Sequence, residues 1–300
     1  MSLQSPSSNF ASMSVLFGAA VWGIYWLPLR YLEDMGISGA WPVALLNIAP
    51  VFLFVGWVLT NWPKHRQYLG AALIIGLLTG LAFAMYGAGL IYTSVMRATL
   101  LYYLTPIWAT LIGIFWLGEK ATWQRWLAIV GGLLGLSVLV SGGPAMTLNI
   151  GDLYGFLSGV FWAFGASMIK RLPTVPLPTM AAFQSISVVV GALLLGAVAG
   201  NQTLLTGEQI WAAIPVSLGI SVCLIMPSAV ILIWAQKFLS PGRVGLLMMS
   251  EVLVAAITAS ILLPDERMSM LEWFGAALIV GACLIEILLT PMEQAHPPNH

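Results

Sequence analysis

One carboxylate in this sequence, Glu251, stands near the middle of a long apolar run. A charge at that depth in an apolar helix is costly, and it faces a cavity or a partner by default. Two readings follow. Glu251 exchanges protons or recognises an ammonium group, or it is a structural carboxylate held by neighbouring helices. Around it the chain is rich in aromatic residues. Trp22 and Trp162 each precede a cation, Arg30 and Lys170, by eight positions. Paired indoles can bind apolar side chains or stack on an ammonium, or they can simply fill equivalent core positions. Tyr86, Tyr102, Tyr103 and Trp108 extend the set of candidate binding residues, although adjacent Tyr102 and Tyr103 must point in different directions. Arg97 is a candidate bidentate contact for a carboxylate, with snorkelling to the membrane surface as its other reading. Catalytic and metal chemistry is not expected. His65, His296 and His300 fall in a loop and the tail, and no HExxH, Cys/His cluster or GxxxxGK[ST] occurs. No cofactor or metal is therefore expected, and an enzyme is not the reading.

The elements that must position these residues are membrane helices. Of 300 residues, 60% are hydrophobic and 7% charged, against about 25% charged in a soluble domain. A span needs roughly 20 apolar residues, and turn signals divide the chain into stretches near 12–31, 40–60, 69–92, 98–117, 124–141, 152–170, 178–199, 209–235, 243–263 and 271–290. Breaks are marked by Asn61-Trp62-Pro63, Ser141-Gly142-Gly143-Pro144, Pro173 to Pro178, Gly200-Asn201 and Ser240-Pro241-Gly242. The fold class expected is an all-α membrane protein with ten transmembrane helices in two inverted five-helix repeats. Met1 to Asn9 is polar and lacks a basic leader region, so the first apolar stretch is expected to be retained. Cys223 and Cys283 lie inside apolar stretches and suggest no disulfide framework.

The chain repeats itself. Trp22-Gly23 and Trp162-Ala163 open the two halves. Leu117-Gly118-Glu119 followed by Trp126, and Pro264-Asp265-Glu266 followed by Trp273, close them. An odd number of spans per copy places the copies upside down to each other, the construction of alternating-access transporters. The expected organisation is a polar segment 1–11, a first repeat 12–143, a second repeat 152–290 and a tail 291–300. With the N-terminus inside, Lys64, Arg66, Lys120, Arg125, Lys170, Arg171, Lys237 and Arg243 fall on the cytoplasmic side. Arg30, Arg97 and Arg267 fall outside. This bias predicts that both termini are cytoplasmic.

The openings Ala20-Val21-Trp22-Gly23 and Phe161-Trp162-Ala163, with Leu104-Thr105-Pro106-Ile107-Trp108, Ser250-Glu251-Val252 and Trp273-Phe274-Gly275-Ala276, carry a resemblance. Over about 15–290 the chain resembles the drug/metabolite transporter superfamily, in its ten-helix branch of two EamA-type repeats. The stretch from Leu101 to Trp108 looks most like YddG-type amino-acid exporters within it. The resemblance implies a cavity formed chiefly by helices 1, 3, 4, 6, 8 and 9. It also implies export across the cell inner membrane by alternating access. Few fixed charges and many aromatic residues suit a net-neutral amino acid with an apolar or aromatic side chain. An organic-cation exporter, with Glu251 inside an aromatic cage, is the alternative. The partners expected are a small-molecule substrate and the lipid bilayer, with no nucleic acid and a monomeric chain.

Two further patterns bear on packing and motion. Gly76-x3-Gly80, Gly131-x3-Gly135, Gly155-x3-Gly159 and Gly196-x3-Gly200 should let helices approach closely. Pro28, Pro50, Pro106, Pro215 and Pro227 fall within spans, and Pro106 and Pro227 are the expected hinges.

Overall fold

A computed structural model of the protein describes residues 8–93, 95–139, 149–199, 204–262 and 269–289. The side chain of Arg97 lies outside the described residues. So do the turns at 141–144 and 200–201, the Asp265-Glu266 pair, Arg267 and the tail.

Helices are α1 (Ser8–Gly23), α2 (Trp26–Asp34), α3 (Trp41–Thr60), the short α4 (Trp62–His65), α5 (Leu69–Tyr92), α6 (Val95–Tyr102), α7 (Thr105–Leu117) and α8 (Trp123–Leu139). They continue as α9 (Ile150–Arg171), α10 (Leu177–Ala199), α11 (Gly207–Ile220), α12 (Met226–Gln236), α13 (Pro241–Met248), α14 (Ser250–Leu262) and α15 (Met270–Leu288). No strand occurs among the described residues. Seven helical segments there are long and apolar enough to cross a membrane, namely Asn9–Asp34, Trp41–Thr60, Trp62–Tyr92, Ile150–Arg171, Leu177–Val198, Gly207–Gln236 and Pro241–Leu262. Thr105–Leu117 and Trp273–Leu288 are shorter apolar helices. Large apolar side chains such as Phe52, Phe115, Val198 and Trp211 stand exposed on the outside, as a hydrocarbon solvent permits and water does not.

Several stretches that read as continuous helices in sequence are interrupted, and proline explains most of the interruptions. A proline ring clashes with the carbonyl four residues earlier and offers no N–H to it. Pro28 does this to Ile24, where α1 gives way to α2 through the tight bonds Ile24 N to Val21 O (3.3 Å) and Tyr25 N to Trp22 O (2.9 Å). Pro106 does it to Tyr102, and α6 ends there. Pro227 does it to Cys223, inside a π-helical stretch, Ser221–Ile225, that joins α11 to α12. Pro50 and Pro215 lie inside helices that continue through them. The interruption at Met249, between α13 and α14, has no proline after it. It places Glu251 in the first turn of α14 rather than mid-helix.

Glycines decide which helices touch. The Gly76 and Gly80 backbones of α5 lie directly on Phe183, Gln184 and Ser187 of α10, and Gly155 and Gly159 of α9 lie on Ala98 and Tyr102 of α6. A side chain at any of these glycines would meet the facing helix. Gly118 serves a different purpose. It adopts φ +70°, a left-handed conformation that ends α7 and lets the Glu119 amide bond back to the Gly113 carbonyl at 3.0 Å. The Leu117-Gly118-Glu119 motif is thus a helix stop.

Contacts between termini sort the helix ends into two sets. At one end, Arg243 Nε donates to Ser12 Oγ (3.1 Å), Lys170 Nζ to the Phe238 carbonyl (2.8 Å), and Lys237 Nζ to the carbonyls of Pro173 (2.9 Å) and Val175 (2.7 Å). His65 pairs with Thr179 at 2.7 Å, and Arg171 lies over the Trp116 ring. Nearby in sequence, Arg125 forms a buried ion pair with Glu286 at 3.2 Å. At the other end, Thr93 donates to Asp152 (2.9 Å), and Gln209 donates to the Gly36 carbonyl (2.9 Å).

Candidate functional site

Six of the residues singled out in the sequence converge in one buried cluster. Gly23, at the end of α1, packs against the Glu251 carbonyl and Val254 so closely that a Cβ there would lie 2.6 Å from each. This brings Trp22 beside the start of α14. Phe83 of α5 stacks on Trp22 (4.8 Å between ring centroids, 20° between planes) and meets Trp162 of α9 edge-on at 5.0 Å. About one turn further along α5, Tyr86 packs on Tyr102 at 4.6 Å, and Tyr102 meets Tyr103 edge-on at 4.9 Å. Such ring pairs contribute about 0.5–1.5 kcal/mol each beyond their burial. The Tyr103 hydroxyl lies 2.8 Å from Glu251 Oε2 and 3.0 Å from the Met248 carbonyl. The Tyr86 hydroxyl pairs with Thr99 at 3.3 Å.

This arrangement is closed. Trp162 is 2% exposed and Glu251 8%, and the carboxylate is engaged by a phenol rather than standing open to a ligand. Adjacent Tyr102 and Tyr103 divide as expected, one ring toward Tyr86 and one hydroxyl toward Glu251. Trp108 sits apart, edge-on to Phe156 at 5.7 Å, with its indole N–H buried and unpartnered among the described residues. Pro106 packs on Gly245 of α13, and Pro227 opens α12 after the π-helical stretch.

Open space lies on the far side of Trp22. A small cavity is lined by Trp22 of α1, Asn47, Pro50 and Phe54 of α3, Phe83 of α5, and Ala181, Gln184, Ser185 and Val188 of α10. Ile225, Met226 and Ala229 complete it. A second, smaller space lies against Trp22, Tyr25, Pro28, Ile220 and Ile225. Of the candidate binding residues with described side chains, only Trp22 lines either space, together with the span prolines Pro28 and Pro50. The larger cavity draws on the first, second, third, seventh and eighth apolar stretches, whereas the resemblance implied the first, third, fourth, sixth, eighth and ninth. The reason is packing: Tyr102, Tyr103 and Trp162 close on one another and fill the space between the fourth, sixth and ninth. Among the described residues, no acidic or basic side chain lines either cavity.

Asn47, Gln184 and Ser185 were missed by sequence reasoning. Their signal was present, since each is a polar side chain within a long apolar helix, but an uncharged amide is a much weaker marker there than a carboxylate.

Long apolar helices, interrupted helices and an apolar exterior around an aromatic core define a multi-span membrane protein. Its sequence matches the EamA-like transporter family twice, over residues 9–141 and 149–288, and the chain belongs to that family. It is a membrane transporter. An Escherichia coli K12 protein named uncharacterized inner membrane transporter YedA is 26% identical over 311 aligned positions, 96% of each chain. An uncharacterized transporter of Archaeoglobus fulgidus is 25% identical over 208 positions, covering 68% of this chain and 72% of its own. A protein known from a crystal structure shares the fold, with a TM-score of 0.70 and 21% identity over 94% of this chain and 97% of that one.

Proposed function

We propose that this protein exports small neutral metabolites across the inner membrane, foremost amino acids with apolar or aromatic side chains. It does so by alternating access between two inverted five-helix repeats. The observation that carries the substrate class is the cavity itself. Its walls are aromatic and aliphatic, its polar groups are uncharged, and no acidic or basic side chain among the described residues lines it. A net-charged ligand would enter without a counter-ion, whereas a zwitterion or other neutral molecule would not. An organic-cation exporter would place Glu251 on the cavity wall, and Glu251 instead accepts from Tyr103.

Several features support the repeat. The family matches the chain twice in succession. The interruptions at Tyr103-Leu104 and Met249 stand at the same sequence offset that relates Pro106 to Glu251. The start of α1 meets the start of α13 through Ser12 and Arg243, and the end of α9 meets the same region through Lys170 and Phe238. Hence α1 and α9, the first helices of the two halves, run in opposite directions. Of the basic residues counted as cytoplasmic, Lys170, Lys237 and Arg243 lie at that one end, which supports cytoplasmic termini. Interrupted helices at equivalent places are where such transporters build their moving parts.

The test is uptake of radiolabelled Met, Leu, Phe or Thr into liposomes holding the purified protein, against a quaternary ammonium dye, with and without a pH gradient. Glu251→Gln runs beside the wild type. Saturable amino-acid flux, retained by Glu251→Gln and indifferent to the gradient, is expected. Dye flux that needs both Glu251 and the gradient, with no amino-acid flux, would install the cation exporter instead.

A further inference from the structure

Two residues that line the larger cavity carry polar groups with no hydrogen-bond partner among the described residues. The Trp22 indole N–H is sealed from solvent and finds no acceptor among the described residues. The Gln184 side chain is 7% exposed, lines the same cavity and makes no hydrogen bond among the described residues, while its amide keeps some access to open space. Its neighbours are occupied. Asn47 donates to the Val43 carbonyl at 2.9 Å, and the Ser185 hydroxyl donates to the Ala181 carbonyl at 2.8 Å. Buried polar groups are normally paired, and one left unpaired calls for an explanation such as a ligand.

Gln184 is also held firmly. Its backbone is clamped by the close approach of Gly76 and Gly80, so the amide projects from a fixed point on α10. An amide offers two donors and one acceptor, and the indole adds a third donor. Together they match a carboxylate and an ammonium carried on one carbon. Phe54, Phe83 and Val188 supply an apolar wall for whatever that carbon also bears.

We propose that Gln184, with the Trp22 N–H, is the point at which the transporter reads the polar end of a zwitterionic α-amino acid. This rests on the neutral-metabolite reading above and adds the residues that select within it. The apolar side chain of the substrate lies along Phe54 and Phe83.

The experiment is counterflow of radiolabelled leucine in proteoliposomes, with half-saturation and maximal rate measured separately. Wild type, Gln184→Leu and Trp22→Phe are compared, with N-acetyl-leucine and isoamylamine as competitors. Gln184→Leu should raise the half-saturation concentration about tenfold, a value equal to about 1.4 kcal/mol, with little change in maximal rate. Its unfolding midpoint should match or exceed the wild type's, because the amide it removes bonds nothing in the protein. Trp22→Phe, which keeps a ring but loses the donor, should also raise half-saturation. Each competitor lacks one of the two charges and should compete more weakly than unlabelled leucine. Wild-type leucine flux with unchanged half-saturation in Gln184→Leu overturns the assignment and leaves the exporter reading standing. A fall in unfolding midpoint for that variant overturns it too, by showing the amide to be structural. No leucine flux by the wild type overturns the exporter reading and this substrate class together.

Discussion

Replacing Gly76 by alanine should loosen the helix pair that holds the cavity. A Cβ built there lies 2.4 Å from the Phe183 Cβ, 2.6 Å from the Phe183 carbonyl carbon and 2.7 Å from the Gln184 nitrogen. Ordinary carbon contacts are about 3.5–4.0 Å, so α5 and α10 must part by about 1 Å. Neither side can yield cheaply. Two of the three atoms are backbone, and Gly80, one turn on, already has the Gln184 carbonyl 2.5 Å from its own Cβ position. Overpacking of this kind costs about 1–3 kcal/mol, while alanine's better helix propensity returns at most about 1 kcal/mol. The net loss should be about 1–2 kcal/mol. Gly56 and Gly70 have nothing within 4 Å of a built Cβ, so alanine at either should be neutral or stabilising by up to about 1 kcal/mol. The assay is unfolding of detergent-solubilised protein by titrated SDS, read by tryptophan fluorescence. If Gly76→Ala resists SDS as well as Gly56→Ala does, the close approach of α5 and α10 is not as described.

Further outcomes follow from other contacts. Tyr103→Phe removes the phenol that serves both Glu251 and the Met248 carbonyl and should destabilise by about 1–3 kcal/mol, while Glu251→Gln keeps an acceptor there and should lose less in the same SDS titration. Arg125→Leu leaves Glu286 buried without its ion-pair partner and should cost about 3–5 kcal/mol, with much of that recovered in the double variant Arg125→Leu/Glu286→Leu, as unfolding midpoints will report. Trp162→Ala empties a fully enclosed indole site against Phe83 and should cost about 3–5 kcal/mol, visible as reduced yield and midpoint.

Much of this protein is legible along the chain because the relevant properties are local. Hydropathy is carried residue by residue, so each apolar stretch read from 12–31 to 271–290 is mostly helical where described. Trp22, Trp162 and the motifs that close each half suggested an internal repeat, and the family model matches the chain over 9–141 and again over 149–288. Proline's clash with the carbonyl four residues back is equally local, which is why Pro28 and Pro106 mark real interruptions. Even so, Pro50 and Pro215, identical in sequence terms, leave their helices unbroken. The interruption at Met249 had no sequence mark, so Glu251 moved from mid-helix to a helix start.

What faces what depends on the angle of each residue about its helix axis and on which neighbour arrives there, and neither is written in spacing. Hence Tyr86, Tyr102, Tyr103 and Trp162 close on one another, while Trp22 and Phe83 reach open space. Gln184, inconspicuous among apolar neighbours, became a cavity residue as Gly76 and Gly80 drew α10 against α5, and Asn47 of α3 lines the same space. Arg125 and Glu286, 161 positions apart, meet because α8 packs along α15. Composition can require that such charges and amides find partners or a ligand. Only the packing of helices on one another chooses which.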